Sequence, residues 1–211
     1  MASMEWNDVF MTLVREATVR YHERPQMPAC NFFLPAEVEF LAEIGYTPDE
    51  MHAYIQDYAT KGDPSPSTIL LIAAARRNFF LISQRGISGN AKPVRAADLP
   101  SPDDDYQGIP YLPRIICKAD AKLHGTLDKA LMFYDDQDRQ FLREHGNIHP
   151  ADFLQLVSRV NRDRQKIVKA VMQAMKIGVA DDTPARPATT TPQRRQDPAS
   201  WQPIQSELNL D

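Results

Sequence analysis

The sequence predicts an all-α protein: a compact multi-helix domain of six to eight short helices, with a long central loop and a disordered C-terminal tail. Three observations carry this. Apolar residues recur at three- and four-residue spacing along most of the chain. Several of these segments open on a capping residue followed by proline, and several close on glycine. No run sustains the alternation of a half-buried strand.

From Met4 to Tyr21, Trp6, Val9, Phe10, Leu13, Val14 and Ala17 form one apolar stripe, an N-terminal amphipathic helix within 1–24. Pro25 and Pro28 end it. A helical core is expected over 31–178. Its first half, 31–85, opens with PAEVEFLAEIG, a short helix stopped at Gly45. Thr47, Pro48 and Glu50 then read as a capping box with proline at the first helical position. Ser65 and Pro66 repeat that start before STILLIAAARRNFFLISQ. Apolar nearly all round from Ile69 to Ala75, this segment is expected to be the innermost helix, with Leu71 in the core.

Gly, Pro and Asp dominate from Arg85 to Pro110, predicting a long loop or hinge. A basic helix follows from Leu112, then two short helices, DDQDRQFLREHG and HPADFLQLVSRV. A closing helix over 161–176 sets Ile167, Val168, Val171, Met172 and Met175 on one side. EFLAEIGYTPDEMHAYI and QFLREHGNIHPADFLQLV echo one another, either by duplication of a helical hairpin or, the favoured reading, through generic helix–Gly–Pro–helix grammar. Residues 179–211 are rich in Pro, Thr and Gln and too poor in aliphatics to build a core.

The formal net charge of −4 over 211 residues argues against a dedicated nucleic-acid partner. Cys30 and Cys117 lack CxxC spacing, so they signal neither a redox pair nor a zinc knuckle. No apolar run is long enough to span a bilayer, and the first residues carry no basic segment. A cytoplasmic location and no membrane partner are the default expectations, and nothing calls for a cofactor.

The residues most in need of an account lie in LPRIICKADAKLHGTL, Leu112 to Leu127. On a helix Arg114, Lys118 and Lys122 stack within about 80° of one another, and like charges at that spacing repel. Leu112, Ile115, Ile116, Ala119 and Leu123 make the opposite, core-facing side. Two readings stand. The stripe is a solvated face neutralised by Asp103, Asp104 and Asp105 folding back from the loop. Or it is an anion- or partner-binding site, with Arg114 as a bidentate fork, the lysines as point charges, and Arg76 and Arg77 alongside.

The run from Ser101 and Pro102 through Gly108, Leu112-Pro113-Arg114, Lys118 and Gly125-Thr126 resembles the bacterial domain-of-unknown-function family 5069. The resemblance covers residues 97–157, with Asp103 and Cys117 as departures. It implies a domain boundary and a helical fold, and no activity.

Other constellations are weaker. Asp135-Asp136-x-Asp138 fits a helix start better than a metal site. His145 and His149 are separated by Gly146, which breaks a shared helix face. The tail end, with Gln205, Leu208 and Leu210, reads as a peptide that docks on a partner. The leading expectation is a binding or adaptor module whose cationic stripe contacts an acidic partner or small anion. The alternative is an enzyme that holds a phosphorylated or carboxylated small molecule with the same cations.

Overall fold

The computed structural model describes residues 5–88, 91–160 and 163–181, with side chains through 176. Among these residues the fold is all-α, with nine α-helices and one two-residue hairpin. The expected disordered tail lies outside the described residues. No helix among the described residues is long and apolar enough to cross a membrane.

Helix α1 (Trp6–Glu23) buries Phe10, Leu13, Val14, Ala17 and Tyr21 along one stripe. The single turn α2 (Ala29–Phe32) and α3 (Pro35–Glu43) follow. Helix α4 (Pro48–Lys61) starts as expected, with Thr47 Oγ1 accepting from Glu50 N at 3.3 Å. The reciprocal half of the capping box is missing, because the Glu50 carboxylate is engaged elsewhere. Helix α5 (Pro66–Asn78) is capped by Ser65 and runs directly into a π-helical turn, Phe79–Ser83. Helices α1, α4 and α5 pack together, and α5 also lies along α8 (Pro150–Arg159).

Innermost is not α5 but α6 (Leu112–His124), which is buried on nearly every side: Leu112, Ile115, Ile116, Lys118, Ala119, Ala121, Lys122 and Leu123. In α5 the buried residues are Ile69, Ile72, Ala73, Ala75 and Arg76, linked at spacings of three and four. Leu71 is not among them and is 47% exposed, which corrects the expectation that it sits in the core. The uniformly apolar run concealed a helix with only one packed side.

The long loop is stitched down. It holds a 3₁₀ turn, Ala96–Asp98, and the hairpin of β1 (Asp105–Tyr106) and β2 (Ile109–Pro110), reversed through Gln107 and Gly108 at positive φ. Val94 exchanges backbone hydrogen bonds with Thr126 and Asp128, tying the loop to the end of α6. Helix α7 (Asp136–Glu144) leads into α8, and α9 (Arg164–Asp181) closes the molecule. The echoed turns differ by one residue: Tyr46 N donates back five residues to Leu41 O across Gly45, and Ile148 N six residues to Leu142 O across Gly146 and Asn147, both at positive φ. At Gly146 a Cβ would lie 2.4 Å from the backbone of Ala174, so only glycine lets α9 pack this close. Ile167, Val168 and Val171 are buried against it, while Met172 and Met175 stay partly open.

This packing separates two neighbours in α5. Ile72→Ala, at a fully buried position, should cost about 2–5 kcal/mol in urea melts. Leu71→Ala should stay within about 0.5 kcal/mol, as open surface positions do. Equal costs would contradict the assigned face.

Candidate functional site

The cationic stripe of α6 faces inward. Lys118 and Lys122 are 1% and 0% exposed, which overturns the expectation of a surface stripe. Each cation on α6 meets a partner from a different part of the chain. Arg114 Nη1 donates to Pro100 O at 2.7 Å, holding the loop ahead of the hairpin. Lys118 Nζ lies 2.6 Å from both Asp135 Oδ2 and Asp138 Oδ2. Lys122 Nζ meets Glu50 Oε1 at 2.5 Å and sits 3.9 Å and 4.9 Å from the ring centres of Tyr46 and Tyr54.

These partners are not the aspartates expected to neutralise the stripe. Asp103, Asp104 and Asp105 are exposed. Asp104 accepts from Ser101 N and Asp105 from Gly108 N, so those two carboxylates shape their own loop. The other acidic cluster has two roles. One oxygen of Asp135 caps α7 by accepting from Asp138 N, and the other takes Lys118. Asp138, fully buried, also accepts from Tyr111 Oη at 2.8 Å and Tyr134 N at 2.7 Å. Burial pushes the Asp138 carboxyl up from its ordinary range, and Lys118 pulls it back. Burial likewise pushes the Tyr111 hydroxyl well up, reinforced by the Asp138 and Asp135 carboxylates.

Arg76 is 2% exposed and has no carboxylate within ion-pair distance among the described residues. Its Nη1 donates to Gln84 Oε1 at 2.7 Å, and Gln84 Nε2 donates to His124 O at the end of α6. The guanidinium therefore faces the negative end of that helix. It also lies over Phe80 and against Gly125, where a Cβ would come 2.6 Å from Nη2. Gly125 is needed twice, for that contact and for its φ of 66°. Arg77 points the other way, 4.9 Å over the Trp6 ring. The five predicted cations thus do not converge on one surface.

His149 caps α8 through Nδ1, while His145 stacks on Phe141, so the two share no face. Gln205, Leu208 and Leu210 lie outside the described residues. No family model, curated protein or solved structure matches the chain.

Lys118 and Lys122 are buried and line none of the clefts described below. One exposed apolar feature among the described residues is the π-helical turn after α5 and the residues that follow it. In that turn Phe80 anchors inward and Phe79 is half-buried against His124, while Leu81 and Ile82 are open. Phe80 packs so closely on Gly45 that a Cβ there would sit 2.7 Å from the ring. Leu81 is exposed, Ile82 is 77% exposed and Ile87 69% exposed. Ile82 lines a cleft of about 250 Å³ with Phe79, Leu123, Gln155, Ser158 and Arg159, among others. No carboxylate lines it, and Arg85 is exposed two residues before Ile87. Phe80, four residues after Arg76, continues the buried face of α5, so Leu81 and Ile82 fall on its open side.

Burial holds the Lys122 ammonium down to about 8, from an ordinary 10.5, with Glu50 opposing the shift. Between those two pH values the folded chain binds fewer protons here than the unfolded chain. The stability contributed by Lys122 therefore rises with pH across that window. Urea midpoints of the wild type and Lys122→Met, compared near the two ends of the window, should show the wild type gaining ground as pH rises. A flat or falling difference would contradict an ammonium burdened by desolvation.

Proposed function

We propose that the protein is a helical binding module whose π-turn edge docks an acidic amphipathic helix of a protein partner. The carrying observation is the exposure of Leu81, Ile82 and Ile87 within seven residues, with Ile82 at a cleft that Arg159 and no carboxylate lines. Large aliphatics held open together mark an interaction surface. A groove between packed helices suits an apolar helix face at spacings of three and four. Arg85 and Arg159 would select glutamates or aspartates flanking that face and steer the encounter. This keeps the acidic partner expected from the sequence and moves its site from α6 to the end of α5. The enzyme reading has less support, because the lysines meant to hold its substrate already have carboxylate partners inside the fold.

The probe is a synthetic amphipathic peptide with leucines along one helical face and glutamates on the other, titrated by anisotropy. It should bind in roughly the micromolar range, the ordinary strength of a short-peptide interface. Ile82→Asp should weaken it by about tenfold or more, equivalent to about 1.4 kcal/mol, with an unchanged melting midpoint. Arg159→Glu should weaken it less. A peptide with lysines in place of the glutamates should bind poorly. Equal binding of both peptides, or indifference to Ile82→Asp, would overturn the assignment.

A further inference from the structure

A second open surface lies elsewhere, between the hairpin turn and α9. It is a groove of about 570 Å³ lined by Gln107, Gly108, Ile109, Met172, Met175 and Lys176. Ile109 forms its floor and is buried, whereas Met172 and Met175 are 40% and 37% exposed. Methionines are flexible and polarisable, so such a wall adapts to an aliphatic or aromatic segment laid against it. The other closing-helix residues expected in the core, Ile167, Val168 and Val171, are all buried. The two methionines are where the stripe runs past the domain it packs on.

The chain itself carries a matching segment. Residues 182–200 contain no Val, Ile, Leu, Met or aromatic residue. Trp201, Ile204, Leu208 and Leu210 then appear together, with Glu207 and Asp211 and no Lys or Arg among them. Lys176 stands at the edge of the groove. The apolar wall and cationic edge therefore complement an apolar, acidic segment. Geometry permits the return. Helix α9 ends at Asp181, about 9 Å beyond Met175 at the helical rise per residue. The spacer that follows, even as a flexible coil, spans about 20–25 Å on average. A tether of that length holds the segment near the groove at roughly millimolar effective concentration.

We infer that the segment Trp201–Leu210 docks in cis on the groove formed by Ile109, Met172 and Met175, with its acidic residues toward Lys176. The segment covers the methionines and is held back from other partners until it is displaced.

Trp6 and Trp201 are the only tryptophans, so Trp6→Phe leaves Trp201 as the sole emitter in the full chain. Its acrylamide quenching should be several-fold weaker than that of N-acetyltryptophanamide and independent of protein concentration. Met172→Glu with Met175→Glu, at partly exposed positions, should restore full quenching while the circular-dichroism melt stays cooperative. A second readout does not depend on replacing Trp6. Peroxide oxidation of Met172 and Met175, followed by mass spectrometry, should be slower in the wild type than in a chain with Trp201→Ser, Ile204→Ser, Leu208→Ser and Leu210→Ser. Three results would overturn the inference. Trp201 is quenched as freely as the model compound. Its shielding survives the methionine substitutions. Or shielding grows with concentration, showing that the segment binds a second copy instead.

Discussion

The fold depends on one constraint: the most deeply buried helix carries cations along one side. Lys118 and Lys122 have almost no contact with solvent, and a buried ammonium is costly unless paired and hydrogen-bonded. The chain meets that demand by bringing a different element to each charge. The start of α7 comes to Lys118, α4 brings Glu50 to Lys122, and the loop before the hairpin brings the Pro100 carbonyl to Arg114. Arg76 of α5 reaches the end of the same helix through Gln84. An apolar α6 would pack with less directional preference. Paired charges fix rotation and register, since turning α6 would leave both carboxylates and ammonium groups buried without partners.

This explains why the fold class was legible in the sequence and the site was not. Helix starts are local, and Thr47-Pro48, Ser65-Pro66 and His149-Pro150 open helices where their grammar placed them. The inward turn of the stripe rests on Lys118 meeting carboxylates on another helix and on Lys122 meeting Glu50, 72 residues away. Periodicity assigns faces by hydrophobicity, so it sends charged residues to the surface. It therefore fails where charges neutralise one another inside. Glu50 shows the ambiguity: its position predicts a capping box, yet the structure spends its carboxylate on Lys122. Leu71 shows the converse, since an alanine-rich helix looks apolar all round while packing on one face.

The family-like run has a corresponding architectural reading. Pro113 sits in the first turn of α6, Arg114 clasps the loop, Lys118 draws in α7, and Gly125 admits Arg76. Thr126 O accepts from Val94 N, joining the loop to the helix end. These residues hold the elements together from inside the fold, whereas Gln107, Gly108 and Ile109 of the same run line the open groove beside α9.

The internal pairing of α6 is tested most directly by a double-mutant cycle on Lys118 and Asp138, read from urea unfolding of the wild type, Lys118→Met, Asp138→Leu and the double variant. Lys118→Met leaves the buried Asp138 carboxylate without its ammonium and should cost about 3–5 kcal/mol, whereas Asp138→Leu leaves Lys118 paired with Asp135 and should cost less. The double variant should lose much less than the sum of the two, giving a coupling of about 0.5–3 kcal/mol, because neither charge is then left alone. Single losses within about 0.5 kcal/mol, typical of surface sites, or strictly additive losses would contradict an electrostatic pairing at the centre of the fold.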